Sequence, residues 1–141
     1  MGTDPTKASR AVLDASALVR ALVDGEDAAL AWLDCAARGT LKVFWPDLVY
    51  AEVANAVLVS ERAGRLSRRA AGAVVQATLS VPVRALRIQT LAGEAWAVGA
   101  ERGLSAYDAC YVVLAETLDA PLVTADRRLA AATGNAVLIG D

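Results

Sequence analysis

The sequence contains no histidine. That absence removes the commonest general base, every Ser-His or Cys-His nucleophile pair and the usual structural zinc sites. Only two cysteines occur, Cys35 and Cys110, both inside apolar helical patterns where a free buried thiol is the expectation. No apolar run approaches the roughly 18 residues needed to cross a bilayer, and the opening MGTDPTKASR lacks the apolar centre of a secretory signal. These features predict a cytoplasmic protein without a membrane partner. Nor is positive charge in excess: 14 basic residues face 16 acidic ones, so any contact with nucleic acid has to come from a local basic patch. Catalysis is left to carboxylates, a bound metal, Lys, Tyr or Ser.

What the chain does have is apolar surface to bury. Hydrophobic residues make up 56% of its 141 positions and charged ones 21%, the balance of a chain that folds around a core rather than staying disordered. One domain over 1–141 is expected, with 1–8 as a flexible N-terminal segment and 1–5 set aside from fold reasoning. Short apolar runs read as strands at Ala11 to Leu13, LKVFWP, Arg84 to Ile88, PLVTAD and AVLIG. Longer periodic stretches between them read as helices. Leu30, Leu33, Ala36 and Ala37 are expected on the buried face of one helix, and Asp47 is expected to cap the next. That next helix, with Leu48, Val49, Val53, Ala56 and Val57 around most of its circumference, is expected to be buried on two sides, or to offer a groove or self-interface. Trp32, Trp45 and Trp96 lie in apolar patterns and read as core. Strands alternating with helices predict an α/β protein with a mainly parallel sheet covered on both faces.

Four acids stand out against this apolar background. In open α/β sheets the functional crevice lies beyond the carboxyl ends of the strands. Asp14 ends the first strand and Asp126 follows PLVT, while Asp108 opens a helix and Glu52 lies inside one. Each has a structural alternative. Asp14 or Ser16 can cap the first helix, Ser105-x-x-Asp108 has capping-box spacing, and Asp126 can cap RRLAAA. Glu52 needs no capping role, and its alternative is a buried salt bridge to an arginine. Asn55, one turn after Glu52, shares its face, and Ser16 and Thr124 add hydroxyls near the two strand ends. Two bare carboxylates about 4 Å apart repel by roughly 4 kcal/mol at an effective dielectric near 20, so a cluster of them has to hold protons or a cation. Oxygen-only donors select a hard ion, Mg²⁺ or Mn²⁺, which can activate water and neutralise charge on a phosphate. Arg62, Arg65, Arg68 and Arg69 form a basic run that reads either as an RNA backbone contact or as a solvated turn.

The segments VLDASALV (12–19), AEVANAV (51–57), LSAYDACYVVLAE (104–116) and LVTADRRL (122–129), in that order, resemble the PIN-domain ribonucleases, and most closely the VapC toxins of bacterial toxin–antitoxin pairs. The resemblance implies an α/β/α sandwich around a parallel sheet. It also implies RNA cut to leave a 5′-phosphate and a 3′-hydroxyl, with Mg²⁺ or Mn²⁺ at the acidic pocket. Asp14, Glu52, Asp108 and Asp126 match the family's acidic quartet, with Asp126 the least secure ligand and able to act through water. Ser16 matches the hydroxyl beside the first acid and Asn55 the amide after the second. The same resemblance implies an RNA substrate, a VapB-like antitoxin laid across the active-site groove, and a homodimer. A housekeeping PIN ribonuclease in RNA maturation and a noncatalytic RNA- or protein-binding module of the same fold remain open. An aspartyl-phosphate phosphatase is disfavoured, because LDASA lacks the second aspartate two residues after the first.

Overall fold

The computed structural model describes residues 4–140. Twelve elements follow one another as β1 (Arg10–Leu13), α1 (Ala15–Leu22), α2 (Asp27–Ala37), β2 (Lys42–Pro46), α3 (Leu48–Arg62), α4 (Arg68–Ser80), β3 (Arg84–Leu86), α5 (Ile88–Arg102), α6 (Ala106–Leu118), β4 (Leu122–Thr124), α7 (Arg127–Ala131) and β5 (Ala136–Leu138). The strands form one sheet in the order β3-β2-β1-β4-β5, and every pairing is parallel. Parallel neighbours require crossovers, and these are right-handed. The chain moves from β1 towards β3 and then returns to the other side of β1 for β4 and β5, so its connections leave the sheet on opposite faces. Helices α1 to α4 accordingly pack together as one layer, and α5 with α6 as the other. Both faces of β1 are covered: Ala11, Val12 and Leu13 are each essentially inaccessible. The reversal of direction falls between β1 and β4, which is the topological switch point where such sheets open a crevice.

Of the N-terminal segment expected to be flexible, residues 1–3 lie outside the described residues. In 4–8, Asp4 Oδ1 accepts hydrogen bonds from both the amide and the hydroxyl of Thr6, closing a turn.

Several local expectations are corrected. The third strand stops at Leu86, and Ile88 already belongs to α5. Asp47 is the reason: its carboxylate does not cap α3 but accepts from the Ile88 amide at 3.1 Å, satisfying a free N–H at the start of α5. Helix α2 buries Ala29, Trp32, Cys35 and Ala36, whereas Leu30 and Ala37 face outward. Counting leucines placed the face one residue off, because the large Trp32 ring decides which side turns inward. Helix α3 buries a single stripe, Val49, Val53 and Val57, and Ala51, Ala54 and Asn55 are exposed. Its apolar side is therefore spent on its own core. An open apolar hollow of about 700 Å³ lies elsewhere, between α2 and the end of α4, lined by Leu22, Leu30, Leu33, Ala77, Val81 and Pro82 among others. Trp32 and Trp45 are core, but Trp96 is 73% exposed, one residue round from the inward Ala95.

The α5–α6 hairpin positions one of the acids, and its close approach depends on Gly99. A Cβ there would stand 3.0 Å from the Leu104 carbonyl oxygen and 3.7 Å from Ala109 Cβ. Gly99→Ala is expected to destabilise the fold by about 1–3 kcal/mol through this overpacking, read as a lower urea midpoint at unchanged slope.

Candidate active site

Asp14 closes β1 and caps α1. Its backbone is extended, and its Oδ1 accepts from the Ala17 amide at 3.0 Å and from Ser16 Oγ at 2.7 Å. Thr124 Oγ1, from the end of β4 on the far side of the switch point, donates to Oδ2 at 2.6 Å. Both hydroxyls also accept. Ser16 Oγ takes the Ala125 amide at 2.8 Å, and Thr124 Oγ1 takes the Asp126 amide at 3.0 Å. The β4–α7 turn is thus tied to Asp14 through two hydroxyls, and a carboxylate only 5% exposed is held by three donors. Burial pushes its pKa up, the hydrogen bonds from Thr124, Ser16 and Ala17 oppose this, and the charge of Asp108 adds to the rise.

The other acids arrive from three further elements. Asp126 caps α7, with Oδ1 accepting from the Arg128 and Leu129 amides at 2.9 and 3.3 Å. Asp108 lies in the first turn of α6, where Ser105 Oγ caps the helix by accepting the Asp108 amide at 3.1 Å. Partial burial raises its pKa and Asp126 raises it further, while the Ser105 hydrogen bond and Arg128 pull the other way. Glu52 projects from α3 and is half-buried. Burial raises its pKa, a hydrogen bond from Tyr111 opposes, and Asp14 and Asp108 both raise it. The four carboxylates therefore sense one another across the carboxyl edge of the sheet. Among the described residues none of them forms a salt bridge, so the arginine-neutralised alternative for Glu52 does not apply.

The capping and the functional readings of Asp14 and Asp126 turn out not to compete, since each uses one oxygen on a helix terminus and keeps another for the crevice or its hydroxyls. Asn55 is exposed, and among the described residues no hydrogen bond joins it to the acids. The arginine run is exposed around the α3–α4 turn. Arg62 lies about 15 Å along α3 from Glu52 at about 1.5 Å per residue. Arg68 is paired with Glu61 at 3.2 Å, a largely solvent-exposed contact of little energetic weight. Two residues near the acids were missed from sequence. Tyr111, 1% exposed, donates its hydroxyl to Glu52 Oε1, and Arg128 stands beside Asp108. The i, i+3 spacing of Asp108 and Tyr111 was a signal that could have revealed the first.

The donor set is entirely oxygen and lacks any neutralising cation in contact, which fits a hard divalent ion better than a soft one. Among the described residues no three of these side chains are already gathered tightly enough to ligate one ion as they stand. They lie at the range of mutual repulsion, so the fit rests on charge and donor chemistry.

An all-parallel α/β sandwich with four carboxylates at its switch point defines the class of protein. The PIN domain family model matches residues 11–135, and the chain belongs to that family. It is 35% identical to Ribonuclease VapC3 of Mycobacterium tuberculosis over 141 residues, covering 99% of this chain and 100% of that protein. Among solved structures it is similar to PAE2754 from Pyrobaculum aerophilum, with a TM-score of 0.72 and 33% identity over 91% of this chain and 82% of the other. VapBC2 from Rickettsia felis, bound to a DNA fragment from their promoter, shares the fold with a TM-score of 0.64 and 18% identity, over 92% and 97% of the two chains.

Proposed function

We propose that the protein is a metal-dependent endoribonuclease that hydrolyses RNA phosphodiester bonds as the toxin of a toxin–antitoxin pair. The observation that carries this reading is the meeting of Asp14, Glu52, Asp108 and Asp126 from four elements at the switch point, with no arginine bonded to any of them. Asp14, Glu52 and Asp108 would hold a Mg²⁺ or Mn²⁺ ion directly, and Asp126 through water. Such an ion lowers the pKa of bound water and offsets the charge that develops on the phosphate. The chain's own residues do the rest. Ser16 and Thr124 fix the Asp14 carboxylate so that it loses little freedom when it ligates. Asp126, with one oxygen committed to the α7 amides, orients the attacking water with the other. Arg128, beside Asp108, is placed to meet a phosphate, and Arg62, Arg65 and Arg69 are exposed for contacts farther along the RNA backbone.

The name of VapC3 supports the ribonuclease activity. The pairing of toxin and antitoxin in VapBC2 supports a VapB-like antitoxin as partner, which would cover the acidic crevice with a segment of opposite charge. The toxin reading further includes a homodimer and a cytoplasmic location. No helix among the described residues is long and apolar enough to cross a membrane. Cleavage of an RNA mixture is expected to stop with excess EDTA and to return on adding Mg²⁺ or Mn²⁺. Cleavage that persists in EDTA would rule out the metal-dependent mechanism, and its absence under every metal condition would favour the binding module.

A further inference from the structure

Glu52 differs from the other acids in how it is held. Asp14 is fixed by three donors and Asp126 by two backbone amides, whereas the one hydrogen bond to Glu52 among the described residues comes from the Tyr111 hydroxyl, on Oε1. The donor is itself immobile. The Tyr111 ring is 1% exposed, packed in the core of α6 one turn after Asp108. A single helix therefore carries one acid of the site and the clamp on another, and the clamp takes one of the two oxygens that Glu52 could offer.

We propose that Tyr111 is a positioning residue that restricts Glu52 to one free oxygen and thereby makes the site prefer a small octahedral cation, Mg²⁺ or Mn²⁺, over Ca²⁺. This rests on the reading of Glu52 as a metal ligand. Ca²⁺ favours six to eight oxygens and readily takes a carboxylate through both, whereas Mg²⁺ demands near-ideal octahedral geometry and is usually bound through one or two carboxylates with water in its remaining positions. A Glu52 tied by one oxygen to an immovable hydroxyl is suited to the second ion and poorly suited to the first. Partners in the layer behind the ligands commonly govern metal affinity by about 10- to 100-fold.

The test is a calorimetric titration of Mg²⁺ and Ca²⁺, separately, into the full chain and into Tyr111→Phe, which keeps the buried ring and removes only the hydroxyl. Near-UV circular dichroism of the variant confirms that the core is intact. The ratio of the Ca²⁺ to the Mg²⁺ dissociation constant is expected to fall about tenfold in Tyr111→Phe. In a Glu52→Ala background the same Tyr111→Phe change is expected to leave the ratio unaltered, because the effect passes through Glu52. A ratio within about twofold of wild type in the single variant, or an equal fall in the Glu52→Ala background, overturns the proposal while leaving the nuclease reading intact. Wild-type protein that binds neither ion overturns both.

Discussion

Asp108→Asn is expected to abolish RNA cleavage and, at the same time, to raise the thermal midpoint of the metal-free protein by a few degrees. The first effect follows from losing a carboxylate that would hold the cation. A contribution of several kcal/mol to the transition state corresponds to about a hundred- to ten-thousandfold in rate. The second follows from the local electrostatics. Partial burial and Asp126 both raise the pKa of Asp108, so its charge opposes folding near neutral pH. An acid whose folded pKa is raised is penalised above that value and not penalised below its unfolded value, so the gain from asparagine is expected to shrink as pH falls through the carboxylate range. Scanning calorimetry of both proteins in EDTA at neutral and acidic pH reads this directly. Loss of both activity and stability in the variant would instead make Asp108 a structural residue.

Thr124→Val should behave in the opposite way. The substitution keeps the shape of a fully buried side chain but removes a hydroxyl that both donates to Asp14 Oδ2 and accepts the Asp126 amide. Two buried polar partners lose their bond at once, one of them a carboxylate. The expected cost is about 2–4 kcal/mol of stability, with cleavage reduced because Asp14 is no longer fixed. Thr124→Ser restores the hydroxyl and is expected to recover most of the activity. If Thr124→Val melts and cleaves like wild type, the hydroxyl network has no part in holding the site.

The contrast between these two variants shows what could be seen in the sequence. The alternation of short strands and helices, and the landing of Asp14 and Asp126 just beyond strand ends, were enough to expect a parallel sheet with acids at its carboxyl edge. Strand order was not, because the move of β4 to the far side of β1 depends on pairing between segments more than a hundred residues apart. The same limit hid the bond from Thr124 to Asp14, although both residues were candidates. It also hid Tyr111, which looks like one more apolar position in CYVVLA until α3 brings Glu52 against its hydroxyl. Local features failed where bulk outweighed pattern. Trp32 turned α2 away from its leucine stripe, and Asp47, a sound cap by position, serves α5 rather than the helix that follows it. Trp96 read as core because its neighbours are apolar, yet α5 buries only a narrow line of Leu91, Ala95 and Gly99.

The most direct test is the loss of the free Mn²⁺ signal in electron paramagnetic resonance as wild-type protein, Asp14→Asn or Asp108→Asn is added. Saturable capture by the wild type, with markedly weaker capture by both folded variants, is expected if the crowded carboxylates form a divalent-cation site. Equal capture by all three proteins, or none by the wild type, would contradict it.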